Sequence, residues 1–211
     1  VVCEPSLTSA KREWGTDIEI VFWYNRTDKE SGVPNAIATF EIKNGSGFTI
    51  MSGNLIENTS VAGLYYFIMN STMVIANNNP QRVGTYTIYI YFSKDHYEPR
   101  DCVITWTIIK VRTTCYTTAT NVTLIWSETM KIDIYYNRTR DCEFIRNALY
   151  DMVVYNSSGY VITVPAEAFV ISNSTNKYSL SINTTYLQTM LYILEMTFFK
   201  RYHDNAAVSI F

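Results

Sequence analysis

Residues 14–50 align without a gap on residues 126–162, at a fixed offset of 112 positions. Trp14 falls on Trp126, Ile20 on Ile132, and Tyr24-Asn25-Arg26-Thr27 on Tyr136-Asn137-Arg138-Thr139. Asn35-Ala36 matches Asn147-Ala148, and Asn44-Gly45-Ser46-Gly47 matches Asn156-Ser157-Ser158-Gly159. A repeat of that length is a whole domain rather than a solenoid unit. The chain is therefore read as two tandem copies of one module, with domains expected at 1–111 and 112–211. Duplication of a module points to a building block of a surface or stalk and away from a single catalytic centre.

Both copies read as strands. Ile18, Ile20, Phe22 and Tyr24 alternate with Asp17, Glu19, Val21 and Trp23, and Met130, Ile132, Ile134 and Tyr136 alternate with Lys131, Asp133 and Tyr135. Strict alternation is the period of a half-buried strand. Further strands are expected near 36–42 and 148–154, at Tyr65–Met69 and Tyr178–Ile182, at Tyr86–Phe92 and Tyr192–Phe198, and around Ile104, Trp106 and Ile108. The Asn-Gly-Ser-Gly and Asn-Ser-Ser-Gly stretches between them read as hairpin turns, because Asn and Gly tolerate positive φ. With a first strand near 1–9, the count is about seven per copy. The expected fold is all-β, two tandem immunoglobulin-like β-sandwich domains. Copy one exceeds copy two by a loop, Asn77-Asn78-Asn79-Pro80-Gln81-Arg82.

Composition narrows the class of function. A net charge of −2 offers no basic field for nucleic acid. No apolar run approaches the ~20 residues of a membrane helix. The chain opens Val1-Val2-Cys3 without a signal-like segment, as a mature protein or an excised fragment would. Nine Asn-x-Ser/Thr sequons occur, at Asn25, Asn44, Asn58, Asn70, Asn121, Asn137, Asn156, Asn173 and Asn183. Chance would give roughly three. Asn25 and Asn44 recur as Asn137 and Asn156, and Asn70 as Asn183, so the sequons sit at repeated turns and read as glycan acceptors on an exported protein. Asn25, Asn44, Asn137 and Asn156 in particular are expected to be modified.

Four cysteines fit an oxidising compartment. Cys3 and Cys115 are equivalent in the repeat. In a seven-strand sandwich the first strand starts at one pole, the loop after Tyr136 returns there, and the last strand begins there at Cys102. The expected bonds are therefore Cys3–Cys102 and Cys115–Cys142, each within one domain. A Cys102–Cys142 bond would have to span a domain length of roughly 30 Å at ~3.3 Å per strand residue.

The stretches Trp23–Thr27, Asn35-Ala36, Asn44–Gly47, Gly84–Ile88, Ser93–Tyr97 and Asn183-Thr184-Thr185 together resemble the tandem Ig-like repeats of large archaeal cell-surface proteins. The resemblance covers most of both copies. It implies spacers and lattice units of surface layers, filaments or adhesins. The four cysteines depart from that pattern and imply added stapling.

Catalytic chemistry is sought without result. The two histidines sit in equivalent polar loops, Lys94-Asp95-His96-Tyr97 and Lys200-Arg201-Tyr202-His203. No Gly-x-Ser-x-Gly, His-Glu-x-x-His or phosphate-cradling loop is present. Acidic residues gather at Asp28-Lys29-Glu30 and Asp141-Cys142-Glu143, in spacings unlike any calcium motif. Trp23, Tyr24, Tyr135 and Tyr136 are the right residues to stack on sugars but read first as sheet packing. We expect no enzyme, no catalytic or metal site and no cofactor beyond N-linked glycans. The leading reading is an extracellular, glycosylated structural protein of the cell surface, with copies of itself or adjacent surface modules as partners. The alternative is an adhesin or receptor ectodomain, but the loops are polar in both copies and lack the apolar tips of a binding module.

The end of copy two sharpens this. The last strand of copy one runs from Cys102 to about Val111, and its counterpart stops at Phe211. Val208 and Ile210 are placed in register with Val103 and Thr105, so the part matching 107–111 is missing. A short last strand exposes unpaired backbone on its neighbour. Val208, Ser209, Ile210 and Phe211 are thus the expected assembly residues, completed by a further module or by a strand from another subunit. Domain poles would meet end to end and glycans would cover the sides.

Overall fold

The computed structural model describes every residue except Glu30, Met73, 76–78, Gln81 and Arg82, and the backbone alone of Val74, Ile75, Asn79 and Pro80. Most of the extra loop 77–82 of copy one, and Glu30 of its acidic loop, thus lie outside the described residues. The fold divides into two compact units, Val1–Lys110 and Val111–Phe211.

Unit 1 contains β1 (Val2–Pro5), β2 (Ser9–Glu13), β3 (Asp17–Asn25), β4 (Ile37–Asn44), β5 (Thr49–Asn54), β6 (Ile56–Glu57), β7 (Leu64–Asn70), β8 (Val74–Ile75), β9 (Asn79–Pro80), β10 (Gly84–Ser93) and β11 (Arg100–Ile109). They form one sheet in the order β1-β3-β7-β6, a second in the order β2-β11-β10-β4-β5, and the small pair β8-β9. Unit 2 contains β12 (Thr113–Thr117), β13 (Thr129–Arg138), β14 (Leu149–Asn156), β15 (Phe169–Asn173), β16 (Tyr178–Asn183), β17 (Tyr192–Phe199) and β18 (Ala206–Ile210). Its sheets are β12-β13-β16-β15 and β14-β17-β18. Each unit is an immunoglobulin-like β-sandwich. Unit 2 has seven strands. Unit 1 exceeds seven because its first strand splits into β1 and β2, which join opposite sheets, because β5 adds an edge, and because β8 and β9 form a separate small pair.

The alternation read from sequence becomes the core. In β3, Ile18, Ile20, Phe22 and Tyr24 are at most 1% exposed, and Ile88, Ile90, Phe92, Ile104 and Trp106 of the facing sheet are fully buried. Tyr24 stacks on Phe92 with ring centroids 5.0 Å apart, and Tyr136 on Phe198 at 5.7 Å. The second core repeats the first with Ile132, Ile134, Tyr136, Leu180, Leu194, Met196 and Phe198.

The turns repeat as well. The Asn44 side-chain oxygen accepts the Ser46 and Phe48 amides, and that of Asn156 accepts the Ser158 and Tyr160 amides. Gly47 and Gly159 close these hairpins at φ of 81° and 79°. Asn35 and Asn147 both adopt left-handed φ, 53° and 52°. The preceding loop is held by an amine: Lys94 Nζ donates to the Pro34 and Asn35 carbonyls, and Lys200 Nζ to those of Arg146 and Asn147. The Tyr65 hydroxyl accepts the Ala36 amide and donates to the Val33 carbonyl, while Tyr178 does the same with Ala148 and Ile145. One long-range tyrosine per unit therefore satisfies an amide and a carbonyl of the loop that precedes β4 or β14.

Candidate functional site

The last strands of the two copies take equivalent places in their sheets. In unit 1, β11 pairs antiparallel with β10 from Gly84↔Ile108 to Phe92↔Arg100, and parallel with β2 from Thr105↔Ser9 to Ile109↔Glu13. In unit 2, β18 pairs with β17 only from Leu194↔Ile210 to Phe198↔Ala206. Ile104 stands opposite Ile88 as Ile210 stands opposite Leu194. Ile210 therefore takes the place of Ile104, and Val208 that of Cys102. This corrects the register expected from sequence by one residue. The slip matters because one residue reverses the face of every side chain: Ile210 is 3% exposed and points into the core, as Ile104 does at 0%.

The corrected register extends to the parallel edge. In unit 1 the Thr105 amide donates to the Thr8 carbonyl. In unit 2 the Phe211 amide donates to the Thr120 carbonyl at 2.7 Å, and the Val122 amide to the Phe211 carbonyl at 2.8 Å. The same parallel ladder begins in both units, and in unit 2 it reaches Phe211. A groove of about 420 Å³ lies beside this edge, lined by Val122, Leu124, Ile125, Trp126, Leu187, Met190 and Leu191 together with the buried Phe169, Ile182, Leu194 and Ile210.

The repeat supplies the internal control. Trp14 packs on the first core, and its amide donates to the Ile109 carbonyl at the end of β11. Its equivalent, Trp126, is 66% exposed. The neighbouring positions also diverge: Arg12-Glu13 of copy one is Leu124-Ile125 in copy two, and Ile125 is 73% exposed. The edge is thus charged in copy one and apolar in copy two. Sequence reading did not find this apolar edge. The signal was the apolar pair Leu124-Ile125 and the run Tyr186-Leu187 with Met190-Leu191, which alternation alone does not assign to a strand.

The cysteines divide unequally. Cys3 and Cys102 are joined, closing a sequence separation of 99. Cys115 and Cys142, expected as the second pair, are separate thiols. The position of Cys102 is held in unit 2 by Val208, so Cys115 meets no sulfur at the place where Cys3 does. Cys142 lies in the turn past Arg138 at φ 56° with its side chain in solvent. Burial pushes the Cys115 thiol up to about 12. Because the thiolate is the nucleophile, maleimide at pH 8 is expected to label the folded chain once, at Cys142, and twice after denaturation. Mass spectrometry that finds no label on the folded chain would restore the second bond.

The remaining candidates scatter. Asp28 pairs with Arg26, and Asp141 and Glu143 pair with Arg138, so the acidic loops face guanidinium groups. Among the described residues, no cluster of three His, Cys, Asp or Glu side chains could hold a metal ion. His96 is exposed, and the His203 ring lies 2.9 Å from the Arg201 carbonyl. Tyr24 and Tyr136 are core residues, Trp23 is 38% exposed, and Tyr135 stacks on Tyr116. No helix among the described residues is long and apolar enough to cross a membrane.

No protein-family model matches the sequence, and no curated protein matches it. Solved structures of tandem domains do. Titin domains Z1Z2 in complex with telethonin match at 9% identity and a TM-score of 0.48, over 99% of this chain and 96% of that one. The adhesin InvE of Yersinia pseudotuberculosis matches at 9% identity and a TM-score of 0.37, over 98% of this chain. A complex of Dpr2 Ig1-Ig2 with DIP-Theta Ig1-Ig3 matches at 12% and 0.35, over 99% of this chain. The chain spans 63% of the Dpr2–DIP-Theta chain and 56% of the InvE chain.

Proposed function

We propose that this chain is an extracellular, N-glycosylated structural protein of a cell surface, a module of a surface layer or filament that assembles with copies of itself. The observation that carries the reading is the tandem duplication of one sandwich, with sequons on the same hairpin of both copies at Asn44 and Asn156. The sequons and the Cys3–Cys102 bond support an exported setting, and the motif resemblance supports a cell-surface one.

Light scattering of the chain tests this. It is expected to show particles that grow with concentration, and a chain that stays monomeric at high concentration would leave only a two-domain spacer.

A further inference from the structure

The nine sequons are not nine equal acceptors. A glycan hangs from the Asn Nδ2, so what the rest of the side chain does decides whether that nitrogen can carry one. In Asn44, Asn58, Asn156 and Asn183 the Oδ1 accepts a turn amide two residues on, which fixes the carbonyl and turns Nδ2 outward. Asn70 and Asn173 donate from Nδ2, to Asp17 and Asn147, in exposed contacts that a rotamer change breaks cheaply. Asn137 differs from all of these. It is 6% exposed and, with Ser71, one of two buried polar residues among those described.

What buries it is an aromatic lid. Asn137 Nδ2 donates to the Tyr116 hydroxyl at 3.4 Å. The Tyr116 ring stacks on Tyr135 with centroids 5.0 Å apart and planes 15° from parallel. The backbone of Asn137 pairs with Thr114 on one side and bridges Phe144 on the other. Copy one repeats the backbone pairing, Asn25 with Val2 and Gly32, but not the Tyr116 hydroxyl or the tyrosine stack. The equivalents of Tyr116, Tyr135 and Phe144 are Glu4, Trp23 and Gly32, and Asn25 is only half-buried. The same four-residue motif, Tyr-Asn-Arg-Thr, thus sits in two different environments.

We infer that Asn137 is a structural asparagine whose sequon goes unused, while its repeat partner Asn25 is a glycan acceptor. A sugar on Asn137 Nδ2 has no path outward without displacing Tyr116. The outer face of β12 and β13 stays bare, with the tyrosine pair presented on it, whereas the matching face of unit 1 carries a glycan. The glycan half of this inference rests on the exported reading. The structural half does not.

Site-resolved glycopeptide mass spectrometry of native material tests the first half. The Asn25 peptide is expected to be occupied and the Asn137 peptide bare, and Tyr116→Ala is expected to bring sugar onto Asn137. Asn137 occupied to the level of Asn25 overturns the inference. Should all nine sites be bare, it is the exported reading that has failed. The structural half is then decided on unmodified protein. Asn137→Asp places a carboxylate under the lid and is expected to lower the unfolding midpoint of unit 2 by roughly 5–10 °C, whereas Asn25→Asp shifts unit 1 by no more than about 2 °C. Equal shifts in the two units overturn it independently of any glycan.

Discussion

Removing the Cys3–Cys102 disulfide is expected to unfold unit 1 far more readily than unit 2. The bond closes a loop of 99 residues, and in the chain-entropy description a loop of that size contributes about 4–5 kcal/mol. At about 4–8 °C per kcal/mol for a domain of this size, Cys3→Ser with Cys102→Ser should lower the midpoint of unit 1 by roughly 16–40 °C. Calorimetry should resolve two transitions, one moved and one not. A single transition that moves as a whole would show that the two units unfold together.

Much of this architecture was legible because the chain repeats it. Local chemistry was read well: Asn44 and Asn156 mark hairpins through bonds made within four residues, and the alternation of β3 and β13 fixes which face is core. What was missed is non-local. The Tyr65 hydroxyl satisfies a carbonyl 32 residues away, and no pattern in the sequence announces that pairing. The burial of Asn137 depends on Tyr116, 21 positions earlier, so an intact sequon looked as available as its twin. The register of β18 failed by one because the offset between copies changes along the chain, from 112 at Trp14 and Trp126 to 106 at Ile104 and Ile210. Cys142 was paired by the pole it occupies, which strand direction predicts, and not by the direction of its side chain, which the turn decides.

The pinning of β11 has a consequence for unfolding under force. The Cys3–Cys102 bond anchors its start, and the parallel ladder with β2 holds its far half. The residues between the two sulfurs form a closed loop, so a pull on the two ends of unit 1 can extend only the short segments outside that loop while the bond is intact.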